Sequence, residues 1–305
     1  MRAPGPRPKR RVGHFRTPQG RKAYVEAYTA TLDLLPEAPE TRDVATGLGT
    51  VRACVWANDK HAGRTPVVLL PGRASGAPMW RDNLPDLIAH RTVYAFDALG
   101  DAGLSEQTIP LRDMADQAQW VEQAMAGLGI DRAHLVGHSQ GGGLAAAVAV
   151  RHPDRLASLT LLEPVLTLSW PPAWVWLHLI PASLPLLPQS WREHALNRIG
   201  GVADDEVDPN DPVVRMIALA ARHYSSAALP NPSPLSEYDL TGLAVPVYVA
   251  IASDDSVAGG DAAAHRAALI PDVQVKVWSD TTHSLPMQVT SELDAELEVF
   301  WAAHP

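Results

Sequence analysis

A Gly-x-Ser-x-Gly sequence is the feature that most constrains how this chain folds. Gly137, Ser139 and Gly141 lie between the apolar run 133–136 and the alanine-rich run 144–150. This setting is typical of a sharp turn from a strand into a helix, where side chains at the two glycine positions would clash. Such a turn exposes the serine hydroxyl, and the N–H groups of the following helix point towards any anion beside it. The motif therefore predicts a nucleophilic serine.

Short apolar runs alternate with helical patterns along most of the chain. The strand-like runs comprise a hairpin at 41–45 and 50–57, and then 66–70, 92–96, 133–136, 159–162, 245–252 and 273–278. Apolar residues at helical spacing occupy 24–35, 112–128, 261–269 and 292–303. This alternation predicts an α/β fold, with a mostly parallel central sheet flanked by helices.

One stretch interrupts the alternation. Residues 166–240 are rich in proline and tryptophan and fit no strand–helix unit, so we interpret them as an inserted, mainly helical cap. The core then comprises residues 23–165 and 241–305. Residues 164–189 carry no formal charge, but their prolines divide them into pieces too short for a transmembrane helix.

Charge is distributed unevenly along the chain. Residues 1–22 hold eight of the 25 Lys and Arg residues and none of the 34 acidic ones. We expect this basic arm to be disordered, and the acidic remainder argues against nucleic acid as a partner. No apolar segment follows Arg10 and Arg11, so the arm does not resemble a secretion signal and we expect a cytoplasmic protein.

A nucleophilic serine needs a base, and the base needs a carboxylate to orient it. In a parallel sheet these groups lie on loops after the carboxyl ends of the strands. His283 follows the last predicted strand, and Asp255 follows the one before it. The order serine, acid, histidine is that of α/β-hydrolases. We therefore predict a triad of Ser139, Asp255 and His283.

Further motifs occur in the matching order. They are Leu69-Leu70-Pro71-Gly72 with Trp80, Tyr94-Ala95-Phe96-Asp97 followed by Gly100, Gly103 and Ser105, Ser253-Asp254-Asp255, and the His283 loop. With these motifs the chain resembles the α/β-hydrolase superfamily over roughly residues 24 to 303, and within it the cap-bearing serine hydrolases of carboxylesterase type. The resemblance implies the α/β-hydrolase fold with a cap.

The acid has two competitors. In the family pattern the acid comes three residues after a small residue that ends the strand, here Ala252, which favours Asp255 over Asp254. Some members place the acid at the end of an earlier strand, where this chain has Glu163. His138, beside the nucleophile, is interpreted as a structural residue whose side chain points away from the pocket.

The resemblance also implies an oxyanion hole made of two backbone N–H groups. Gln140 supplies one. Related proteins usually have His-Gly after the strand that here ends at Leu70, whereas this chain has Pro71 and Gly72. Proline has no N–H, so we predict Arg73 as the second donor, with Ala74 as the alternative.

The cap is rich in aromatic side chains. Four of the nine tryptophans lie within 22 residues: Trp170, Trp174, Trp176 and Trp191. Large apolar surface near a pocket favours an acyl or aromatic group, which makes Trp170 and Trp174 candidate pocket residues. The same rings can instead attach the cap to the core.

These features together predict a serine hydrolase that cleaves carboxylic esters of small or apolar acyl or aromatic substrates through an acyl-enzyme. Alternatives are acyl transfer, perhydrolysis, lactone opening or carbon–carbon cleavage by the same triad, or a ligand-binding protein on this fold. We expect no cofactor and no metal, and the single cysteine, Cys54, excludes an internal disulfide. A homodimer is left open.

Overall fold

The structure is a computed structural model, and it describes residues 12–35, 37–183, 188–205, 207–226 and 229–305. The strands are β1 His14–Phe15, β2 Glu40–Thr46, β3 Gly49–Trp56, β4 Val67–Leu70, β5 Val93–Phe96, β6 Glu106–Gln107, β7 Ala133–His138, β8 Leu156–Leu162, β9 Tyr224–Ser225, β10 Val247–Ala252 and β11 Val273–Trp278. The helices are α1 Pro18–Leu32, α2 Leu84–His90, α3 Met114–Gly127, α4 Gln140–Arg151, α5 Ala173–Ser183, α6 Gln189–Gly200, α7 Pro212–His223, α8 Glu237–Thr241, α9 Gly260–Ala267, α10 Leu285–Gln288 and α11 Thr290–Ala302.

The main sheet has the strand order β11-β10-β8-β7-β4-β5-β3-β2, and β6 pairs with β3. The pairs from β11 through to β5 are parallel. The predicted hairpin of β2 and β3 is antiparallel, and β3 also pairs antiparallel with β5 and β6. The predicted mostly parallel central sheet is therefore confirmed.

Helices cover both faces of this sheet, which explains why β4 and β10 are apolar and buried at every position. Successive residues of β4 point to opposite faces: Val68 and Leu70 join one core with α3, α4 and α9, and Val67 and Leu69 join the other with α2 and α11. Cys54 is fully buried in the second core, and burial raises the pKa of its thiol to about 12.

The N-terminal segment departs from the expectation of a disordered arm over residues 1–22. The strand His14–Phe15 pairs with β9, and α1 begins at Pro18, where the Thr17 hydroxyl accepts the N–H of Gly20. Phe15 also packs its ring against Tyr24 and Tyr224. The expectation is therefore wrong for residues 12–22, because a capped helix start and aromatic packing order them. Residues 1–11 lie outside the described residues.

The segment between β8 and β10 contains α5 to α8 and β9, so it is mainly helical where described. Its helix α7 packs against α1, where Met216 and Ala220 are buried with Tyr24 and Tyr28. None of the helices in the described part of the chain is long and apolar enough to cross a bilayer. The exact limits 166–240 for the cap stay a prediction.

Candidate active site

Ser139 lies on a strained turn between β7 and α4. Its backbone has φ +56° and ψ −119°, a conformation that residues with a side chain rarely adopt. A Cβ on Gly137 would lie 2.2 Å from the Gly141 carbonyl oxygen, and one on Gly141 would lie 2.3 Å from that of Leu70. Both glycines are therefore required for the tight turn, which presents the half-buried Ser139 at the carboxyl edge of the sheet.

His283 is brought to Ser139 by the loop that follows β11. Its Nε2 lies 2.9 Å from Ser139 Oγ, across 144 positions in the sequence. The Thr281 hydroxyl donates to the Trp278 carbonyl and holds the start of this loop. His283 is itself buried. The predicted serine and histidine are therefore within hydrogen-bond distance.

The carboxylate beside His283 belongs to Glu163, at the end of β8. Its Oε2 lies 3.2 Å from His283 Nδ1, and the side chain is fully buried. Because a carboxylate only accepts hydrogen bonds, this contact puts the His283 proton on Nδ1 and leaves Nε2 to accept from the Ser139 hydroxyl.

Four further donors surround the Glu163 carboxylate. Oε1 accepts the Ala252 N–H (2.8 Å) and the Ser256 hydroxyl (2.7 Å), and Oε2 accepts the N–H groups of Val257 (3.0 Å) and Ala258 (3.2 Å). Burial opposes ionisation, but the hydrogen bonds from His283 and these donors outweigh it, so the pKa of Glu163 lies below its usual value. Glu163 is therefore an ionised, fully bonded partner for His283.

The structure does not bring Asp255 to His283, which corrects the expected triad geometry. The loop after β10 turns its N–H groups towards Glu163, and Asp255 instead binds Arg198 of α6 (Oδ2 to Nη1, 2.8 Å) with 37% of its side chain exposed. Asp254 is exposed, and its carboxylate accepts from the neighbouring Ser253 hydroxyl. Of the three candidate acids, only Glu163 contacts the imidazole.

His138 contacts the histidine loop from the buried side. Its Nε2–H donates to the His283 carbonyl oxygen (2.9 Å), and the two ring centroids lie 4.9 Å apart. Burial, and then the proximity of His283, lower the pKa of His138 to about 3, so its ring is neutral. This contact supports the interpretation of His138 as a structural residue, because His138 holds the backbone of His283 in place.

The loop after β4 passes directly beside Ser139. A Cβ on Gly72 would lie 3.4 Å from Ser139 Cβ. The Gly72 N–H is directed to Met79 Sδ (3.1 Å), and the Ala74 N–H donates to Asp101 (2.9 Å). The alternative oxyanion donor, Ala74, is thus already bonded, which leaves the N–H of Arg73 in this loop and that of Gln140 at the start of α4 as candidate donors.

The two tryptophans predicted to line the substrate pocket, Trp170 and Trp174, lie on the inserted segment. Trp170 is 64% exposed. Trp174 is half-buried, and the Arg198 guanidinium lies 5.9 Å from its ring centroid. Both rings therefore lie on the inserted segment, and a role for them in substrate binding stays a prediction.

The arrangement can move a proton in both directions. A neutral imidazole can take the Ser139 proton at Nε2, and the Glu163 carboxylate stabilises the imidazolium that results. Sequence reasoning missed the supporting contacts of Ser256 and His138. A small hydroxyl residue in the loop after β10 carries no signal of its own, and His138 was recognised only as a neighbour of the nucleophile.

Comparison with known proteins agrees with this architecture. A family model described as the alpha/beta hydrolase fold matches residues 65–199. An uncharacterized carboxylesterase, nap, of Bacillus subtilis (strain 168) is 23% identical over 289 residues, which are 92% of each chain.

Two further proteins are similar over different lengths. The crystal structure of naproxen esterase (carboxylesterase NP) from Bacillus subtilis superposes with a TM-score of 0.83 at 21% identity, covering 93% of this chain and 99% of that one. A human 1-acylglycerol-3-phosphate O-acyltransferase is 39% identical over 104 residues, but this match covers only 33% of this chain and 30% of that protein. The chain is therefore an α/β-hydrolase-fold protein that resembles a carboxylesterase over nearly its whole length.

Proposed function

We propose that this protein is a serine hydrolase that cleaves carboxylic esters through an acyl-enzyme. The observation that carries the proposal is the continuous chain of contacts from the Ser139 hydroxyl through His283 to the buried Glu163 carboxylate. A nucleophile, a base and an orienting acid in hydrogen-bond contact are what such chemistry needs.

In the first half of the reaction, Ser139 Oγ attacks the ester carbonyl carbon while His283 Nε2 takes the hydroxyl proton. The carbonyl oxygen becomes an oxyanion, which the N–H groups of Arg73 and Gln140 bind. When the tetrahedral intermediate collapses, the bond to the alcohol oxygen breaks, and His283 gives its proton to that oxygen. The alcohol leaves, and the acyl group stays on Ser139.

In the second half, water replaces the alcohol. His283 takes a proton from the water while the water oxygen attacks the acyl carbon. It then returns that proton to Ser139 Oγ as the bond to the acyl carbon breaks and the carboxylic acid leaves. Glu163 stays ionised throughout and stabilises the imidazolium that forms twice in each cycle.

Residues 166–240 act as a cap over this site. The support is a set of contacts between that segment and both sides of the site. Arg73 donates to Ser226 Oγ (3.1 Å), Gln140 Nε2 donates to the Pro230 carbonyl (3.4 Å), and the Ser284 hydroxyl donates to the Gly200 carbonyl (2.7 Å). Arg73 and Gln140 are the proposed oxyanion donors and Ser284 follows the base, so the cap limits what reaches Ser139.

Ester hydrolysis is also favoured by the likeness to a carboxylesterase over 92% of each chain. Acyl transfer is the second candidate, since the region matching the acyltransferase is the more similar one, although short. Both reactions share the acyl-enzyme and differ in whether water or an alcohol accepts the acyl group. Product analysis with a competing alcohol separates them, because hydrolysis yields the free acid and transfer yields a new ester.

The Ser139→Ala protein is expected to lose turnover of para-nitrophenyl acetate by about 10⁴-fold or more, because no other group takes the place of the nucleophile. Initial rates of nitrophenolate release, followed by absorbance at about 400 nm, compare the turnover of the variant with that of wild type. Circular dichroism checks that the fold is intact. Equal rates for the two proteins would remove Ser139 from the mechanism.

A further inference from the structure

A cavity of 540 Å³ lies beside the histidine loop, between the core and the inserted helices. Its walls come from α6 and α7, from Arg81 and Asp82, and from the turn of α10. Its volume is within the range typical of small-molecule sites. The cavity is therefore large enough to hold part of a substrate.

Most of the cavity wall is apolar. The apolar lining residues are all half-buried: Leu196, Val202, Val207, Val213, Val214, Ile217, Ala218 and Met287. Helix α7 buries Met216 and Ala220 against the core, and Val213, Val214 and Ile217 line the cavity. Because apolar surface in contact with water is unfavourable, this wall favours an apolar ligand.

The charged residues of the cavity are predominantly acidic. Arg81 is bound between Asp82 and Asp211, at 3.0 Å from each. Asp208 adds a third carboxylate, and Arg81 is the one basic side chain among the described residues that line the cavity. Three carboxylates, those of Asp82, Asp208 and Asp211, against one guanidinium give the cavity a negative potential, which opposes an anionic ligand.

Ser284 connects the cavity to the proposed site. It lines the cavity and directly follows His283, whose Nε2 contacts Ser139 Oγ. The Ser284 hydroxyl donates to the Gly200 carbonyl, which ties the end of α6 to the histidine loop. A Cβ on Gly201 would lie 2.2 Å from Thr282 Cβ, so glycine is needed for this close approach. The cavity therefore reaches the residue that directly follows the proposed base, His283.

We propose that this cavity binds an uncharged apolar chain of the ester and discriminates against a chain that ends in a carboxylate. The inference rests on the proposed ester hydrolysis and adds the substrate class. The apolar wall stabilises a chain in proportion to its buried methylene groups, and the acidic residues oppose a negative charge at its end.

A cavity-filling variant tests the apolar part. In Ile217→Trp, the ratio of kcat/KM for para-nitrophenyl octanoate to that for the acetate is expected to fall about tenfold or more, because the indole occupies the space of the chain. Val214→Phe serves as a second variant if Ile217→Trp does not fold. The matched control is Arg215→Trp, an exposed residue of the same helix outside the cavity lining, which should keep the wild-type ratio.

Two ester series show which side of the ester enters the cavity. The first varies the acyl chain, as above, and the second varies the alcohol, comparing octyl acetate with ethyl acetate in a pH-stat. A fall in the long-to-short ratio of Ile217→Trp in either series supports the proposal and identifies the acyl or the alcohol chain. Unchanged ratios in both series, with folded variants, overturn it.

The charge part is tested with chains of equal length. Wild type is expected to hydrolyse the para-nitrophenyl monoester of suberic acid about tenfold or more slowly than the octanoate, as kcat/KM. Asp208→Asn should narrow this gap, and about 1 M NaCl should narrow it also, since salt screens the acidic residues. A gap that neither change affects would overturn the electrostatic discrimination.

Different results would overturn the proposed function and the cavity assignment. If wild type does not hydrolyse the acetate, or if Ser139→Ala hydrolyses it equally well, the proposed function is wrong. If the acetate is hydrolysed through Ser139 but the chain-length ratios do not respond to Ile217→Trp or Val214→Phe, only the cavity assignment is wrong.

Discussion

The His283→Ala protein is expected to lose turnover of activated esters by about 10⁴-fold or more while remaining folded. Among the described residues, His283 is the one whose side chain contacts Ser139 Oγ, so without the imidazole no described group can take the hydroxyl proton or return it to the leaving alcohol. The loss should be in kcat rather than KM, because His283 acts on the reacting atoms and not on the bound chain.

Kinetics on para-nitrophenyl acetate and a thermal unfolding curve measure this expectation. The unfolding curve checks that the histidine loop keeps its place. The backbone of His283 accepts a hydrogen bond from His138, and because this contact does not involve the imidazole, we expect it to remain in His283→Ala. A folded His283→Ala protein with wild-type kcat would exclude the imidazole as the base.

The Glu163→Gln protein is expected to lose between about 10² and 10⁴-fold in kcat, which is the second large effect. An amide has no charge to stabilise the imidazolium. The NH₂ group of the glutamine can also donate to His283 Nδ1. This favours the tautomer with its proton on Nε2, which cannot accept the proton of Ser139. The five donors around the present carboxylate then face a weaker acceptor, so some loss of stability is expected too.

Asp255→Asn is the matched control for the acid, since it makes the same chemical change on the neighbouring loop. It removes an exposed ion pair with Arg198, and such pairs contribute little to stability. Its kcat is expected to stay within about threefold of wild type. A large loss in Asp255→Asn combined with a small one in Glu163→Gln would reverse the assignment of the acid.

Much of the core could be predicted from the sequence because local patterns there agree with the fold. The β4 run is apolar at every position because both faces of the sheet are covered by helices. The motif at Ser139 predicted the turn, since only glycine fits at Gly137 and Gly141. His283 was found because the carboxyl ends of parallel strands meet at one edge.

The acid could not be assigned from the sequence because two loops supply carboxylates to the same edge of the sheet. Asp255 and Glu163 both follow apolar strands, and the choice depends on where the N–H groups of residues 252–258 point. A signal was present in Glu163 itself. It is a single charge between a strand without charged residues and Pro164, beside the strand of the nucleophile, and a buried charge there requires partners.

The N-terminal segment shows a different limit of sequence reasoning. Its basic charge suggested disorder, yet Phe15 packs on Tyr224, which lies more than 200 positions later in the chain. Such long-range contacts leave no periodic pattern in a short segment. The Thr17-Pro18 pair, a capping residue before proline, was the available sign that a helix begins there.

The most direct test of the account is the intact mass of the protein after reaction with a fluorophosphonate, followed by peptide mapping. We expect one adduct per chain, located on Ser139, that forms in the wild type and not in Ser139→Ala. Absence of an adduct on the folded wild type, or an adduct on another residue that persists in Ser139→Ala, would contradict the claim that Ser139 is the activated nucleophile.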